Sequence, residues 1–349
     1  MTMEKIVIGM SGGVDSSAAA YLLKSQGYEV VGVTMKMWSC GHKTDDSAVQ
    51  DAKNVCDTLG IAHHVLDFQE PFKNMVVAHF VDEYFAGRTP NPCIMCNRFM
   101  KWEALLNYAD EIGAAGIATG HYARILKLEN GRYTLLKSAA GKDQTYMLYR
   151  LTQPQLARTL MPVGLYTKNK IREIAASIGL SVADKPDSQD ICFLPDGNYQ
   201  KFLAQYSDKK VTPGNFVTKD GTVIGQHTGI TNYTVGQRKG LNLSMGHPVF
   251  VTEIRPDTNE VVIGEPEELM TTVVRACDVN WMAIEKLTEP MRVTAKIRYA
   301  HQGASALIRM IDAHTVEAVF DEPQRAATPG QGLVFYHDDM VIGGGTICR

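Results

Sequence analysis

The 349-residue sequence predicts a parallel-sheet α/β domain, then a small, mostly β unit, then a C-terminal β-barrel. Three observations carry that prediction. Up to residue 120, short β-branched runs alternate with helical patterns, the signature of strands joined by helical crossovers. From about residue 200 the helical periodicity fades and turn residues multiply, in Thr212-Pro213-Gly214, Lys219-Asp220-Gly221 and Pro256-Asp257. From residue 273 onward, short alternating runs follow one another as in a small barrel. The expected division is 1–205, 206–272 and 273–349.

Taken in order, residues 5–10, 28–35, 61–67 and 116–119 read as strands. Between the second and third, Ala48, Ala52, Val55, Cys56 and Leu59 share one face of a helix that Gly60 ends. Residues 123–128 and 132–137 flank Glu129-Asn130-Gly131, whose Asn-Gly pair is a hairpin turn. Residues 168–178 form a basic-faced helix stopped by Gly179. Residues 211–264 make the middle unit, and 292–300, 304–310, 315–320 and 332–336 are barrel strands. Trp38, Trp102 and Trp281 read as core or interface.

At 45% hydrophobic and 21% charged residues, the composition is that of a soluble globular protein and excludes a mainly disordered chain. No run approaches the ~18 apolar residues of a membrane span, and Met1 leads straight into a strand without a signal-peptide pattern, so a cytoplasmic location is expected. A net charge of −3 means that any nucleic acid must be held by a local basic surface. The seven cysteines, at 40, 56, 93, 96, 192, 277 and 348, are an odd number, which favours catalytic or metal-binding thiols over a disulfide framework.

Gly9-Met10-Ser11-Gly12-Gly13-Val14-Asp15-Ser16-Ser17 follows a strand and opens a helix. Glycines let backbone approach a polyphosphate, a helix N-terminus offers unpaired N–H groups, and Ser11, Ser16 and Ser17 add hydroxyl donors. Asp15 is placed to cap the helix or to hold a phosphate-bound magnesium ion. The loop is neither a Walker loop nor a dinucleotide-binding fingerprint. It resembles the loop of the PP-loop ATP pyrophosphatases, of adenine nucleotide alpha hydrolase-like fold, which bind the pyrophosphate of ATP there while adenylating an oxygen of the substrate.

Asn91-Pro92-Cys93-Ile94-Met95-Cys96-Asn97 puts two thiols in a Cys-x-x-Cys spacing where Pro92 opens a helix running toward Gly113. A helix N-terminus lowers a thiol pKa and favours the nucleophilic thiolate. A buried cysteine pair or half a zinc site are the other readings; the remaining cysteines are scattered singly, which disfavours structural zinc. Cys192, in Asp187-Ser188-Gln189-Asp190-Ile191-Cys192-Phe193, reads on its own as core.

Together, that Cys-x-x-Cys segment, Thr119-Gly120-His121-Tyr122-Ala123-Arg124, Lys142-Asp143-Gln144-Thr145-Tyr146-Met147-Leu148, the Asp-Ile-Cys-Phe stretch and Gly236-Gln237-Arg238-Lys239-Gly240-Leu241 resemble the bacterial tRNA-specific 2-thiouridylases, the MnmA/TrmU family. The resemblance runs from the first strand to residues 343–345. It implies ATP-dependent adenylation of the C2 oxygen of wobble uridine in tRNAs for Lys, Glu and Gln, followed by replacement of that oxygen with sulfur. By motif position it implies Cys96 as nucleophile and Cys192 as the cysteine that receives a persulfide from a sulfur carrier or cysteine desulfurase. A mobile segment near 185–200, with Pro186, Pro195 and Gly197, would then bring Cys192 to Cys96. Two orders of thiol steps are open: direct attack by the persulfide, or prior release of hydrosulfide by Cys96. One family branch has Asp at the Cys93 position; with a thiol there, Cys93, Cys96 and Cys192 form a candidate ligand set for a [4Fe-4S] cluster.

The resemblance also implies nucleotide contacts at residues 9–16, Met35 and Gly120, and target-base contacts at Asn91, Pro92, Cys93 and His121. It implies tRNA contacts at Lys142, Asp143, Gln144, Arg298, Tyr299 and Gln331. Lys168, Lys170 and Arg172 form a basic cluster suited to anticodon-stem phosphates, or a solvated helix face. His121 by itself reads more readily as a hydrogen-bonded structural histidine than as a functional one. Two rival functions stay open: an amide-forming synthetase of the argininosuccinate or GMP synthetase kind, which leaves Cys96 and Cys192 unemployed, and a non-enzymatic RNA-binding protein, which leaves the intact loop without a use.

Overall fold

In a computed structural model that describes residues 3–38, 44–183, 185, 191–194 and 197–349, the predicted N-terminal strands form β1 (Lys5–Gly9), β2 (Glu29–Lys36), β3 (Ala62–Asp67) and β4 (Gly116–Ala118). The next two, β5 (Ala123–Lys127) and β6 (Tyr133–Lys137), leave for another sheet, and the short β7 (Thr159–Leu160) returns to the first. The resulting order, β3-β2-β1-β4-β7, is parallel throughout. Alternation along β1 divides two cores: Ile6 and Ile8 pack with helices α1 (Val14–Ser25) and α2 (Thr44–Leu59), while Val7 packs with Trp102, Leu105 and Ile117. The predicted face of α2 is buried at Ala52, Val55, Cys56 and Leu59, and Gly60 leaves the helix at φ +61°.

The helix expected from Pro92 is present but not uniform. Pro92–Met95 is α, Cys96–Trp102 is π, and Glu103–Glu111 is α again. Wide π turns of this kind interrupt helices most often at functional sites. Asn91 caps the helix through its side chain, which accepts from the Cys93 N–H. The helical segments Gln69–Phe72, Lys73–Val77 and Ala78–Phe85 pack in one core with Cys96 and Met100 of this helix.

The middle unit is a four-stranded sheet of β8 (Gly214–Val217), β9 (Val223–His227), β10 (Phe250–Arg255) and β11 (Glu260–Gly264), in the order β10-β11-β8-β9. C-terminal to it come β12 (Met270–Trp281), β13 (Met291–Lys296), β14 (Ala304–Met310), β15 (Val316–Arg325), β16 (Gly332–His337) and β17 (Met340–Ile347). β12 pairs with both β15 and β17, which closes these strands into a barrel around Ala276, Val293, Ala295, Ala306, Ile308 and Leu333. β17 also pairs with β6, so the β5–β6 hairpin is annexed to the barrel wall.

Cys277 on β12 and Cys348 after β17 form a disulfide with Cα atoms 6.0 Å apart. This corrects the expectation drawn from the odd cysteine count: antiparallel pairing of β12 with β17 brings together two thiols that look isolated in sequence. Among the described residues no helix is long and apolar enough to cross a membrane.

Candidate active site

The loop between β1 and α1 is held from several sides. Gly13, extended at φ −104° and ψ 164°, precedes α1 and provides no side-chain cap for its first turn. Gly12 has φ +69°, and a Cβ there would strike the Ala48 carbonyl oxygen. Ser16 and Ser17 are buried, and their hydroxyls donate to the Gly13 carbonyl at 3.2 and 2.8 Å, so they fix the loop; Ser11 is exposed. Gly120 approaches so closely that a Cβ would lie 2.6 Å from the Ser16 nitrogen. Met35, half-buried on β2, pairs in register with Leu66.

Asp15 neither caps α1 through its side chain nor has an oxygen left without a partner for a metal. Its Oδ1 accepts from the Tyr122 hydroxyl at 2.7 Å and from Lys168 Nζ at 2.6 Å, and its Oδ2 from Lys142 Nζ at 3.5 Å. Lys185 donates to the Gly12 carbonyl at 3.3 Å and to Asp51 at 2.7 Å. Three ammonium groups therefore ring the loop. This corrects the reading of Lys168, Lys170 and Arg172 as one cluster: Lys170 pairs with Glu173, and Arg172 donates to the Ala183 carbonyl. The helix Lys168–Ser177 buries Ile171 and Ala175 in the core of α1, which turns Lys168 toward Asp15. Nothing in the local sequence around Lys185 marks it for this position.

The cysteine helix lies beside this loop, with Leu105 contacting the Gly9 position. Cys96 is buried, with its Sγ 3.7 Å from Met37 Sδ. Burial pushes the thiols of Cys93 and Cys96 upward, against a lowering by Lys101. The expected helix-induced thiolate is thus corrected: desolvation outweighs the field of a helix whose first α stretch is only Pro92–Met95. Lys101 is held by Asn97 Oδ1 at 3.1 Å, and Asn97 donates to the Met147 carbonyl at 3.1 Å. The His121 ring sits 5.3 Å from Trp102, and its Nδ1 bonds Thr119 Oγ1 at 3.0 Å. Burial, with Lys101 and Lys142 nearby, lowers His121 to about 3, so it is neutral at physiological pH.

Phe193 and Leu194 are inserted into an aromatic cluster with Phe72, Phe80 and Phe202 that also contains Cys96 and Met100. Cys192 is thereby held where the charges of Cys96 and Cys93 would each oppose its own; it is exposed as a residue, yet the protein packed against its thiol pushes it up to about 12. Cys93, Cys96 and Cys192 are all free thiols. Pro186, Pro195, residues 187–190 and Cys40 lie outside the described residues. Among the described residues, no set of three His, Cys, Asp or Glu groups is arranged to hold a metal ion.

The segment Lys142-Asp143-Gln144 joins the loop to the barrel. Gln144 Oε1 accepts from the Tyr122 N–H at 2.8 Å, Asp143 accepts from Thr145, and the Tyr299 hydroxyl donates to the Asp143 carbonyl at 3.3 Å. Arg298 is exposed and donates to the Arg325 carbonyl. Gln331 is elsewhere: its amide donates to the Thr89 carbonyl at 2.7 Å, just before the Asn91 cap. Arg238 and Lys239 are exposed on the Gly236–Gly240 turn. Two clefts on the middle unit, of about 450 and 280 Å³, are lined by neither the loop nor a cysteine.

Three family models match in succession: a tRNA methyl transferase HUP domain over 4–196, a tRNA methyl transferase PRC-barrel domain over 200–265 and an aminomethyltransferase beta-barrel domain over 271–347. The tRNA-specific 2-thiouridylase MnmA of Lachnoclostridium phytofermentans is 55% identical, over 99% of this chain and 100% of that one. That of Clostridium perfringens is 52% identical over 99% of each. Among solved structures, the U34-tRNA thiolase NcsA of Methanococcus maripaludis with its [4Fe-4S] cluster is 18% identical at a TM-score of 0.36, covering 59% of this chain and 63% of that one; a likeness so loose says nothing about a cluster here. On the full-length identity, the chain belongs to the tRNA-specific 2-thiouridylase MnmA family.

Proposed function

We propose that this protein is an ATP-dependent tRNA-uridine 2-sulfurtransferase that makes 2-thiouridine at position 34 of tRNAs for Lys, Glu and Gln. The observation that supports the reading is the seat of Phe193 in the apolar cluster that contains Cys96, which keeps the neighbouring Cys192 within electrostatic reach of Cys96, beside a glycine loop ringed by Lys142, Lys168 and Lys185. A synthetase acting on a carboxylate needs the loop but has no use for two thiols within electrostatic reach of one another. We assign adenylation to residues 1–205, tRNA binding to the barrel of 273–349, and the connection between them to 206–272, with the hairpin β5–β6 shared.

In this scheme residues 9–16, Met35 and Gly120 bind ATP, and the three lysines offset its phosphate charge. The C2 oxygen of the uridine attacks the α-phosphorus, and pyrophosphate leaves. Asn91, Pro92, Cys93 and His121 flank the base; neutral His121 offers a hydrogen bond and does not act as an imidazolium acid. Cys192 carries the outer sulfur as a persulfide taken from a desulfurase or carrier. In one order the outer sulfur attacks C2, AMP leaves with the oxygen, and Cys96 thiolate then attacks the Cys192 sulfur. In the other, Cys96 attacks first and the hydrosulfide it releases displaces AMP. Both end in a Cys96–Cys192 disulfide, which two electrons from a cellular thiol reductant must reopen. Magnesium enters as the counter-ion of ATP. Asp15, its oxygens engaged by two ammonium groups and a hydroxyl, is a poor ligand, so it is given no role in holding the ion. Lys142, Asp143, Gln144, Arg298, Tyr299 and Gln331 are assigned to the tRNA, with the Gln331 amide also holding Thr89 and the turn that follows.

Conversion of ATP to AMP should require unmodified tRNA and be indifferent to aspartate, citrulline or xanthylate. AMP formation on one of those small acceptors without tRNA would favour the synthetase reading instead.

A further inference from the structure

Two arginines flank the cysteine helix without a carboxylate. Arg98 lies two residues after Cys96, and Arg150 follows the turn that receives the Asn97 side chain. Arg98 Nη1 donates to the Arg150 carbonyl at 2.9 Å, and its guanidinium carbon lies 4.8 Å from the centre of the Phe99 ring. Arg150 Nη1 contacts Met95 Sδ at 3.8 Å, so its guanidinium lies against the residue that precedes Cys96. Both Nε atoms are buried with no hydrogen-bond partner. Among the described residues neither arginine forms an ion pair; Glu103 offsets Arg98 only from a distance, while the charge of Arg150 and burial both disfavour the charged Arg98.

Holding two guanidinium groups together, half-buried and without a counter-charge, is costly unless an anion is supplied from outside. We propose that Arg98 and Arg150 form an anion site that takes a backbone phosphate of the RNA substrate next to the target nucleotide. The assignment rests on the RNA-thiolating reading above. Its geometry follows from that reading: a base brought to Cys96 carries its own and its neighbouring phosphates to the flanks of the same helix. A planar fork held by ring stacking and one anchored nitrogen suits a phosphate oxygen pair better than an ammonium would. In a chain with net charge −3, such a local site also supplies attraction that global charge does not.

The test is binding of an unmodified tRNA-Lys transcript at several salt concentrations by parent, Arg98→Gln, Arg150→Gln and the double variant, with ATP affinity and melting temperature measured on each. The expected result is about tenfold weaker tRNA binding for the double variant and a salt slope smaller by about 0.7–0.9, one phosphate contact, with ATP affinity unchanged. Unchanged tRNA affinity and slope in folded variants would overturn the site and leave the pair as packing. If loss of tRNA binding came with equal loss of ATP affinity, a general structural role would replace the site. A parent that does not bind the transcript at all would overturn the RNA reading itself, and the assignment with it.

Discussion

The Tyr122 hydroxyl donates to Asp15 across 2.7 Å, which ties the segment after β4 to the first turn of α1. Lys168 reaches the same carboxylate, so the nucleotide loop, the Gly120 turn and a helix more than a hundred residues downstream share one polar centre.

Lys168→Ala should therefore weaken ATP-pyrophosphate exchange by roughly 10- to 100-fold, the worth of one or two charge-assisted hydrogen bonds, while tRNA affinity holds. The opposite pattern, normal exchange with weakened tRNA binding, would return Lys168 to the anticodon-stem role that its sequence context predicts. Gly120→Ala should abolish exchange outright, because the added methyl meets the Ser16 backbone rather than a side chain that can move aside.

His121 is neutral in the fold, with a pKa near 3 set first by burial and then by Lys101 and Lys142. Its unfolded value lies near 6.5, so protonation favours the unfolded chain. The contribution of His121 to stability is complete above pH 6.5 and falls away as pH drops from there toward 3. Imidazole NMR signals of His121 should not titrate between pH 5 and 8, and His121→Gln should narrow the difference in melting temperature between pH 7.5 and pH 5. A midpoint near 6 would show a ring that titrates near neutrality and would overturn the neutral His121 of this account.

Phe193 anchors Cys192. Phe193→Leu keeps an apolar seat but loses ring contacts with Phe72, Phe80 and Phe202, at a cost of about 1–2 kcal/mol. Its ATP-pyrophosphate exchange should match the parent, while formation of the Cys96–Cys192 disulfide under mild oxidation should slow several-fold. Equal rates would mean that another part of the segment positions Cys192.

The Cys277–Cys348 bridge closes a loop of 71 residues around the barrel. Loop-closure entropy gives it a worth of about 4 kcal/mol. Reductant should lower the melting temperature of oxidised parent and leave that of Cys348→Ser unchanged; insensitivity of the parent would show that the bridge does not form in solution.

Much of this architecture is legible in the chain because local rules and tertiary packing agree. The strands 5–9, 29–36 and 62–67 fall where β-branched runs place them, and the α2 face is buried as its spacing requires. The Asn130-Gly131 hairpin forms as predicted, but its membership of the barrel wall rests on pairing with Met340, a contact no local pattern announces. The ring of ammonium groups at the loop is hidden for the same reason: Lys142 and Lys168, which reach Asp15, and Lys185, which reaches Gly12 and Asp51, come from separate elements, and each looks like an ordinary surface lysine in its own window. The thiol acidity went the other way from the helix argument because burial is a tertiary quantity. The helical run from Gln69 to Phe85 and the cluster around Phe193 are organised by aromatic contacts between distant segments rather than by their own periodicity.

The most direct test of the central claim is anaerobic thiolation of unmodified tRNA-Lys with ATP, magnesium and a persulfide source, comparing parent with Cys96→Ser, Cys192→Ser and Cys93→Ser. The account predicts sulfur at C2 of uridine 34 with the parent and none with Cys96→Ser or Cys192→Ser, while tRNA-dependent formation of AMP in single-turnover conditions survives in both. Normal thiolation by all three variants would contradict it, because sulfur would then reach the base without these thiols.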